Sequence, residues 1–124
     1  MARLMSVALT EQQVRDRTKT VTRRIGWSYL RPGQRLTLCR KVMGRKHGEP
    51  LIRLVDVEIV AVRRERLDTI TSSEVAAEGF PNMTPAEFVA FFCAAHKGCQ
   101  PSSDVTRVEW RYIADSADQG TPSG

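Results

Sequence analysis

Residues 51–64 alternate between apolar and polar side chains over a longer stretch than any other part of the chain. Asp56 and Glu58 alternate with apolar neighbours, which is the pattern of a strand with one buried and one exposed face. This stretch is the longest strand candidate, so the fold must contain a sheet built around it. The residues expected on its buried face are Val55, Val57, Ile59 and Ala61.

Three shorter stretches predict further strands. They are Leu4–Ala8, Arg35–Met43, which follows the turn Arg31-Pro32-Gly33-Gln34, and Val105–Ile113. Alternation in the last of these predicts that Val108, Trp110 and Tyr112 face inward.

Helix signals lie between the strand candidates. The expected helices are Glu11–Arg17 with Thr10 as its cap, a weaker one from Ser72 to Gly79, and one from Thr84 to Gly98. The last has the strongest start, because Thr84 offers a hydroxyl cap, Pro85 suits the first position and Glu87 the third. Its helical spacing predicts that Phe88, Phe91, Phe92 and Ala95 face the core.

The order of elements is strand, helix, two long strands, two helices and a final strand. This order favours an α+β fold built on a small curved sheet or barrel with short flanking helices. A length of 124 residues suits a single domain, predicted to span residues 1–114. Residues 115–124 are rich in Ser, Asp, Gly and Pro, so a disordered tail is expected there.

Composition narrows the class of protein. No stretch is long and apolar enough to cross a bilayer, and Met1–Thr10 lacks the apolar core of a signal peptide, so a cytoplasmic protein is expected. The formal net charge of +5 and the pI of about 9.6 favour an anionic partner, of which nucleic acid is the commonest.

The cysteines and histidines give little support for a metal or a disulfide framework. The chain has three cysteines, an odd number, and reduced thiols are the simpler interpretation. Cys93, His96 and Cys99 have a metal-like spacing, but a structural zinc needs four ligands and only the distant Cys39 and His47 remain. Cys93 is therefore expected to pack in the core, and neither metal nor cofactor is predicted.

The chemistry-bearing residues concentrate in the basic, threonine-rich stretch Arg15–Trp27. Within it, Lys19-Thr20-Val21-Thr22-Arg23-Arg24 is the most specific motif. Three weaker cues follow in order: Leu30-Arg31-Pro32-Gly33, Glu78-Gly79-Phe80 and Trp110-Arg111-Tyr112. From about Leu4 to Ile113 the chain resembles the ASCH domain family, whose members are small PUA-like barrels.

The resemblance implies work on RNA or nucleosides. One bacterial branch of the family comprises small amidohydrolases that deacetylate N4-acetylcytidine with a lysine, a threonine three residues later and a distant glutamate. On this chain those positions fall on Lys19, Thr22 and Glu78. The enzymes usually carry Gly-Arg just before the lysine, whereas this chain has Arg17-Thr18, and Arg23 is an additional basic residue within the motif.

The three residue types suit amide hydrolysis. A threonine hydroxyl needs a base, and a lysine amine acts as one only when burial and neighbouring cations such as Arg17, Arg23 and Arg24 lower its pKa. Glu78 is the expected proton shuttle, and Arg24 the expected stabiliser of the developing oxyanion. Because positions 19 and 22 point to opposite faces of an extended chain, the hypothesis requires the Lys19–Thr22 segment to bend.

Other interpretations of the same residues remain open. Arg15, Arg17, Arg23, Arg24 and Arg31 suit phosphate binding, with Trp27 or Tyr29 stacking on a base. The partner would then be RNA or a modified nucleoside bound without turnover, or RNA cleaved by a metal-independent ribonuclease. Further basic clusters occur at residues 40–46 and 63–66. A solvated turn or edge strand is the purely structural alternative.

Overall fold

The computed structural model describes residues 2–113, so the tail predicted at 115–124 lies outside the described residues. The strands are β1 (Arg3–Ser6), β2 (Val21–Arg24), β3 (Arg35–Cys39), β4 (Arg53–Arg66) and β5 (Asp104–Tyr112). The α-helices are α1 (Glu11–Arg15), α2 (Ser72–Ala77) and α3 (Pro85–Ala95), and short 3₁₀ turns occupy Ala8–Thr10 and Leu67–Thr69. Among these residues, no helix has the length and apolar character needed to cross a bilayer.

The five strands form one curled sheet in the order β1-β3-β4-β5-β2. Strand β1 runs parallel to β3, and the other neighbouring pairs are antiparallel. The 14-residue strand β4 pairs with β3 along its first part and with β5 over most of its length. The α+β architecture predicted from the element order is confirmed, with the long alternating stretch at the centre of the sheet.

A β-bulge in β4 changes which residues face inward, so the predicted buried face is wrong beyond Ile59. Val57 and Ile59 are buried as expected, but the register with β5 shifts between Ile59 and Ala61. Ala61 then lies opposite Glu109, while Val62 lies opposite the buried Val108 and packs on the core. One inserted residue moves every later side chain to the other face, so the alternation beyond Ile59 misassigned Ala61.

Several element boundaries also differ from the sequence predictions. Helix α1 stops at Arg15 instead of Arg17, because Arg17 adopts a left-handed φ of 63°. Thr10 precedes α1, but its side chain makes no capping hydrogen bond and is buried. Strands β1 and β3 are shorter than predicted, and β4 is shifted by two residues toward the C-terminus.

The buried apolar residues form two clusters. One fills the curl of the sheet: Met5, Val7, Val14, Leu30, Leu36, Leu38, Val57, Ile59, Val108 and Trp110. The other lies under α2 and α3: Leu67, Ile70, Val75, Phe88, Val89, Phe92 and Val105. Strand β5 contributes residues to both clusters, so both of its faces are buried near Val105. The sequence had predicted burial of one face only.

The signals at α2 and α3 are confirmed. The hydroxyls of Thr71 and Thr84 accept backbone hydrogen bonds at the two helix starts, and Thr84 forms a complete capping box with Glu87. Phe88 and Phe92 are buried, but Ala95 is exposed because α3 ends there.

Gly79 is expected to be intolerant of a side chain. Its φ is +107°, and an added Cβ would lie 3.0 Å from Thr10 Cγ2. Gly79→Ala should therefore lower the free energy of unfolding by about 2–3 kcal/mol in denaturant titrations, from backbone strain plus the contact. Gly98→Ala is the control, because Gly98 has φ +83° with no atom within 4 Å. It should cost about 1 kcal/mol; equal losses would contradict the role of the Thr10 contact.

Candidate functional site

The segment that carries Lys19 enters the edge strand β2 under tight restraint. Thr20 donates its backbone N–H to Ala77 O at the end of α2, at 2.9 Å. The carbonyl of Lys19 accepts hydrogen bonds from the indole N–H of Trp110 and the hydroxyl of Tyr112. Two inward residues of β5 therefore fix the backbone of Lys19 beside the helix that ends next to Glu78.

The amine of Lys19 meets Glu78 inside the protein. Its Nζ donates to the Glu78 carbonyl oxygen at 2.6 Å and lies 3.4 Å from Glu78 Oε1. Each residue is only 3% exposed. Burial, helped by Arg24 and Arg23, lowers the pKa of Lys19 to about 8, although Glu78 opposes the shift. A substantial fraction of the amine is therefore neutral near pH 8.

Glu78 owes its position to the end of α2. It is the C-terminal cap residue, and Gly79 then turns the chain with a positive φ. The Gly79 carbonyl accepts from the Gln13 side-chain amide at 2.9 Å, which ties this turn to α1. The backbone of Glu78 is therefore positioned by the end of α2 before it and by the Gly79 turn after it.

Thr22 and Arg24 occupy alternate positions of β2 and are linked to each other. Arg24 Nε donates to Thr22 Oγ1 at 3.1 Å, and Arg24 Nη2 donates to the Ser6 carbonyl at 2.8 Å. Within residues 2–113, no carboxylate lies within ion-pair distance of Arg24. Burial lowers the pKa of this guanidinium, and its remaining N–H groups are available to an electron-rich ligand atom.

Arg23 has a different environment. Its guanidinium donates to Glu65, Glu74 and Glu78 at 2.7–3.2 Å, and its side chain is 1% exposed. Hydrogen bonds from Arg107 first, and from Arg23, lower the pKa of Glu74 to about 2. Arg23 therefore holds the second oxygen of Glu78 in place, and its donors are occupied by carboxylates.

These groups surround a pocket of about 250 Å³. Its lining includes five residues that the sequence had singled out, namely Lys19, Thr22, Arg23, Arg24 and Glu78. The rest of the lining is formed by Ser6, Val7, Ala8, Leu9, Thr10, Phe80, Phe88, Phe91, Phe92, Ala95 and His96. Phe88, Phe91 and Phe92 were predicted as core residues, so sequence reasoning missed that they also line the pocket with Phe80.

The other candidate binding residues lie outside this lining. The Arg17 guanidinium stands 5.3 Å from the Tyr112 ring centroid. Trp27 packs against the core, and its ring stacks on Tyr29 with centroids 6.0 Å apart, while Arg3 covers Tyr29 at 4.8 Å. Arg31 is exposed.

Many charged side chains at the surface form ion pairs with one another. Arg15 and Arg40 pair with Glu11, and Arg66 pairs with Asp68. Lys41 also has a carboxylate partner, in Glu49. The basic residues at 40–46 and 63–66 are thus partly paired with carboxylates.

Within residues 2–113, no cluster of histidine, cysteine and carboxylate side chains has the composition of a metal site.

The comparisons with known proteins identify the fold. The chain is similar to the crystal structure of protein EF3133 from Enterococcus faecalis V583, described there as DUF984. The TM-score is 0.64 at 15% identity, over 91% of this chain and 80% of that one. The fold is a small α+β domain with a curled five-stranded sheet. No family model matches the chain, and no match was found among the curated proteins.

Removing the guanidinium of Arg23 is expected to destabilise the fold. Arg23→Met leaves the buried Glu78 carboxylate without a partner on one oxygen, so the free energy of unfolding should fall by about 3–5 kcal/mol. Arg63→Met is the control, because Arg63 pairs with the same Glu65 from a side chain that is 59% exposed. The control should lose less than about 1 kcal/mol in the same denaturant titrations. Equal effects would contradict the assigned role of Arg23.

Proposed function

We propose that the protein binds a modified nucleoside in this pocket and hydrolyses an N4-acyl amide on its cytosine ring. The observation that carries the proposal is the buried contact of Lys19 Nζ with the Glu78 carboxylate, at 3.4 Å, in a pocket that Thr22 also lines. The reaction requires a lysine base, a hydroxyl and a proton-shuttling carboxylate in one pocket, and the shared lining supports that requirement.

The lining of the pocket supports a ring-shaped ligand. The lining combines the aromatic side chains of Phe80, Phe88, Phe91 and Phe92 with the cations and Glu78. Aromatic side chains stack on nucleobases, and a few polar groups fix their orientation. A volume of about 250 Å³ is close to the lower end of the usual range for small-molecule sites, which favours a single nucleoside over an oligonucleotide.

The ASCH resemblance supports the same reaction. The family's amidohydrolase positions fall on Lys19, Thr22 and Glu78, and all three line one pocket. The structural likeness to the Enterococcus protein concerns the fold, so the reaction itself rests on the motif and on the pocket geometry.

In the proposed reaction, neutral Lys19 takes the proton from the attacking oxygen, which belongs to Thr22 or to a water that Thr22 orients. This oxygen adds to the amide carbon, and Arg24 stabilises the negative charge that develops on the carbonyl oxygen. The C–N bond then breaks, and the proton passes through Glu78 to the leaving amine. Water supplies the oxygen of the carboxylate product, directly or by hydrolysing a threonine ester.

Binding of RNA without turnover and metal-independent RNA cleavage would use the same cations. Both need a broad surface of N–H donors that can bind phosphates. Arg23 is enclosed by carboxylates, and several arginines of the outer clusters are ion-paired. Because these arginines are already paired, the structure favours hydrolysis of a single nucleoside in the pocket over binding or cleavage of RNA.

Turnover of N4-acetylcytidine is the direct test, followed as release of acetate and cytidine. Lys19→Met, Thr22→Val and Glu78→Gln should each lower kcat/KM by about 10²–10⁴-fold, because each removes one proton-transfer or attacking group. Arg31→Ala is the control, because Arg31 is exposed and outside the pocket lining. Circular dichroism checks that the variants fold. Binding of the nucleoside without hydrolysis by the unmodified protein would contradict the enzyme and support a binding module.

The pH dependence gives a second test. The base must be neutral, and the pKa of Lys19 is lowered to about 8, so activity is lost as Lys19 gains a proton. We expect kcat/KM to rise about tenfold per pH unit below this value and to level off above it. Measurements from pH 6 to 10 in constant ionic strength would show this. A midpoint near 10.5, the ordinary lysine pKa, would exclude a buried amine as the base.

A further inference from the structure

Two thiols lie side by side at the end of α3. Cys93 belongs to the last turn of the helix, and Cys99 follows the turn at Gly98. Their sulfur atoms are 3.7 Å apart, and the Cys93 S–H donates to Cys99 Sγ. Both cysteines are free and partly buried. The third cysteine, Cys39, is fully buried in the sheet.

Backbone hydrogen bonds keep the two thiols together. His96 donates its N–H to Cys93 O at 3.3 Å, and Cys99 donates its N–H to His96 O at 3.0 Å. Gly98 adopts a φ of 83°, which lets the chain fold back toward the helix. The local backbone conformation therefore keeps the two sulfur atoms close together.

The segment between the cysteines also forms part of the pocket. Ala95 and His96 line it. The His96 ring stacks on Phe92, with centroids 4.2 Å apart, and its Nδ1 lies 2.9 Å from Phe92 O. Any covalent link between Cys93 and Cys99 would therefore restrain this edge of the pocket.

We propose that Cys93 and Cys99 form a reversible intramolecular disulfide, a modification site that restrains the Ala95–His96 edge of the pocket. A disulfide of low-molecular-weight thiol, such as glutathione disulfide, is the oxidant. One cysteine thiolate attacks this disulfide and releases one glutathione. The second cysteine thiolate then attacks the mixed disulfide and releases the other. Two protons leave the protein, and the two electrons reduce the oxidant to two thiols.

The two sulfurs differ in their parts of the contact, and this difference makes Cys99 the first sulfur to react. Cys93 donates its S–H to Cys99 Sγ, so the Cys93 proton lies between the two sulfur atoms. Burial raises the pKa of Cys93, so this thiol keeps its proton longer and acts in the second step. A disulfide bond is about 2.04 Å long, so the two sulfur atoms must approach each other by roughly 1.7 Å.

Limited oxidation followed by trypsin tests the proposal. Trypsin cuts after Lys97, between the two cysteines, so the disulfide keeps two tryptic peptides linked. The full-length protein is incubated with glutathione disulfide, and its intact mass is measured before it is alkylated and digested. We expect this mass to fall by about 2 Da. The linked peptide pair should appear without reductant and separate with it, and amide exchange in residues 94–99 should slow at least fivefold.

Single substitutions assign the bond. Cys93→Ser and Cys99→Ser should abolish the linked peptides, and Cys99→Ser should also abolish the mixed disulfide. Cys39→Ser is the control and should leave the linkage unchanged. A stable glutathione adduct, a disulfide-linked dimer, or no mass change in the unmodified chain would overturn the proposal without relying on any variant.

One further measurement rests on the proposed function. Hydrolysis of N4-acetylcytidine is compared between the reduced and oxidised protein, and we expect kcat/KM to differ at least threefold and to return on reduction. Equal activity with the bond formed would overturn the effect on the pocket. No activity in either form would contradict the proposed function, while the linked peptides would still establish the disulfide.

Discussion

The buried contact between Lys19 and Glu78 is the interaction on which the site depends. An ammonium group and a carboxylate both lose solvation inside a protein, and this cost is offset only when each has further partners. Glu78 receives a second guanidinium from Arg23, and the ammonium of Lys19 also donates to the Glu78 carbonyl. The backbone of Lys19 is fixed separately by Trp110 and Tyr112. A low amine pKa and a rigid position thus arise from the same packing.

The open seam of the curled sheet explains where the pocket lies. Strands β1 and β2 are the two edges of the sheet, and they do not pair with each other. The guanidinium of Arg24 reaches across from β2 to the Ser6 carbonyl at the end of β1. A side chain bridges the two edges where paired backbones would otherwise meet, so space remains between the edges. Phenylalanines of α3 also line this space. The pocket is therefore a consequence of incomplete barrel closure.

Local signals in the sequence predicted local structure well. The capping box at Thr84 and the alternation through Ile59 depend on neighbouring residues, and both are confirmed. The bulge after Ile59 was not predictable, because cross-strand register decides it. The basic stretch was predicted either to bend between Lys19 and Thr22 or to be a solvated turn or edge strand. Val21–Arg24 is an edge strand, but Val21, Thr22 and Arg23 are buried.

The sequence by itself determined the α+β class and four of the five strands, because local periodicity carries that information. It also supplied the candidate trio of Lys19, Thr22 and Glu78, through a compact motif that resembles a family. Only the tertiary structure decided which arginines are paired with carboxylates and which face the pocket. Arg23 is enclosed by carboxylates 42 to 55 residues away, Arg24 keeps donors for the pocket, and Arg31 lies outside it. Arginines in one stretch look equivalent in a sequence, and they differ in the fold because desolvation and ion pairing depend on distant partners.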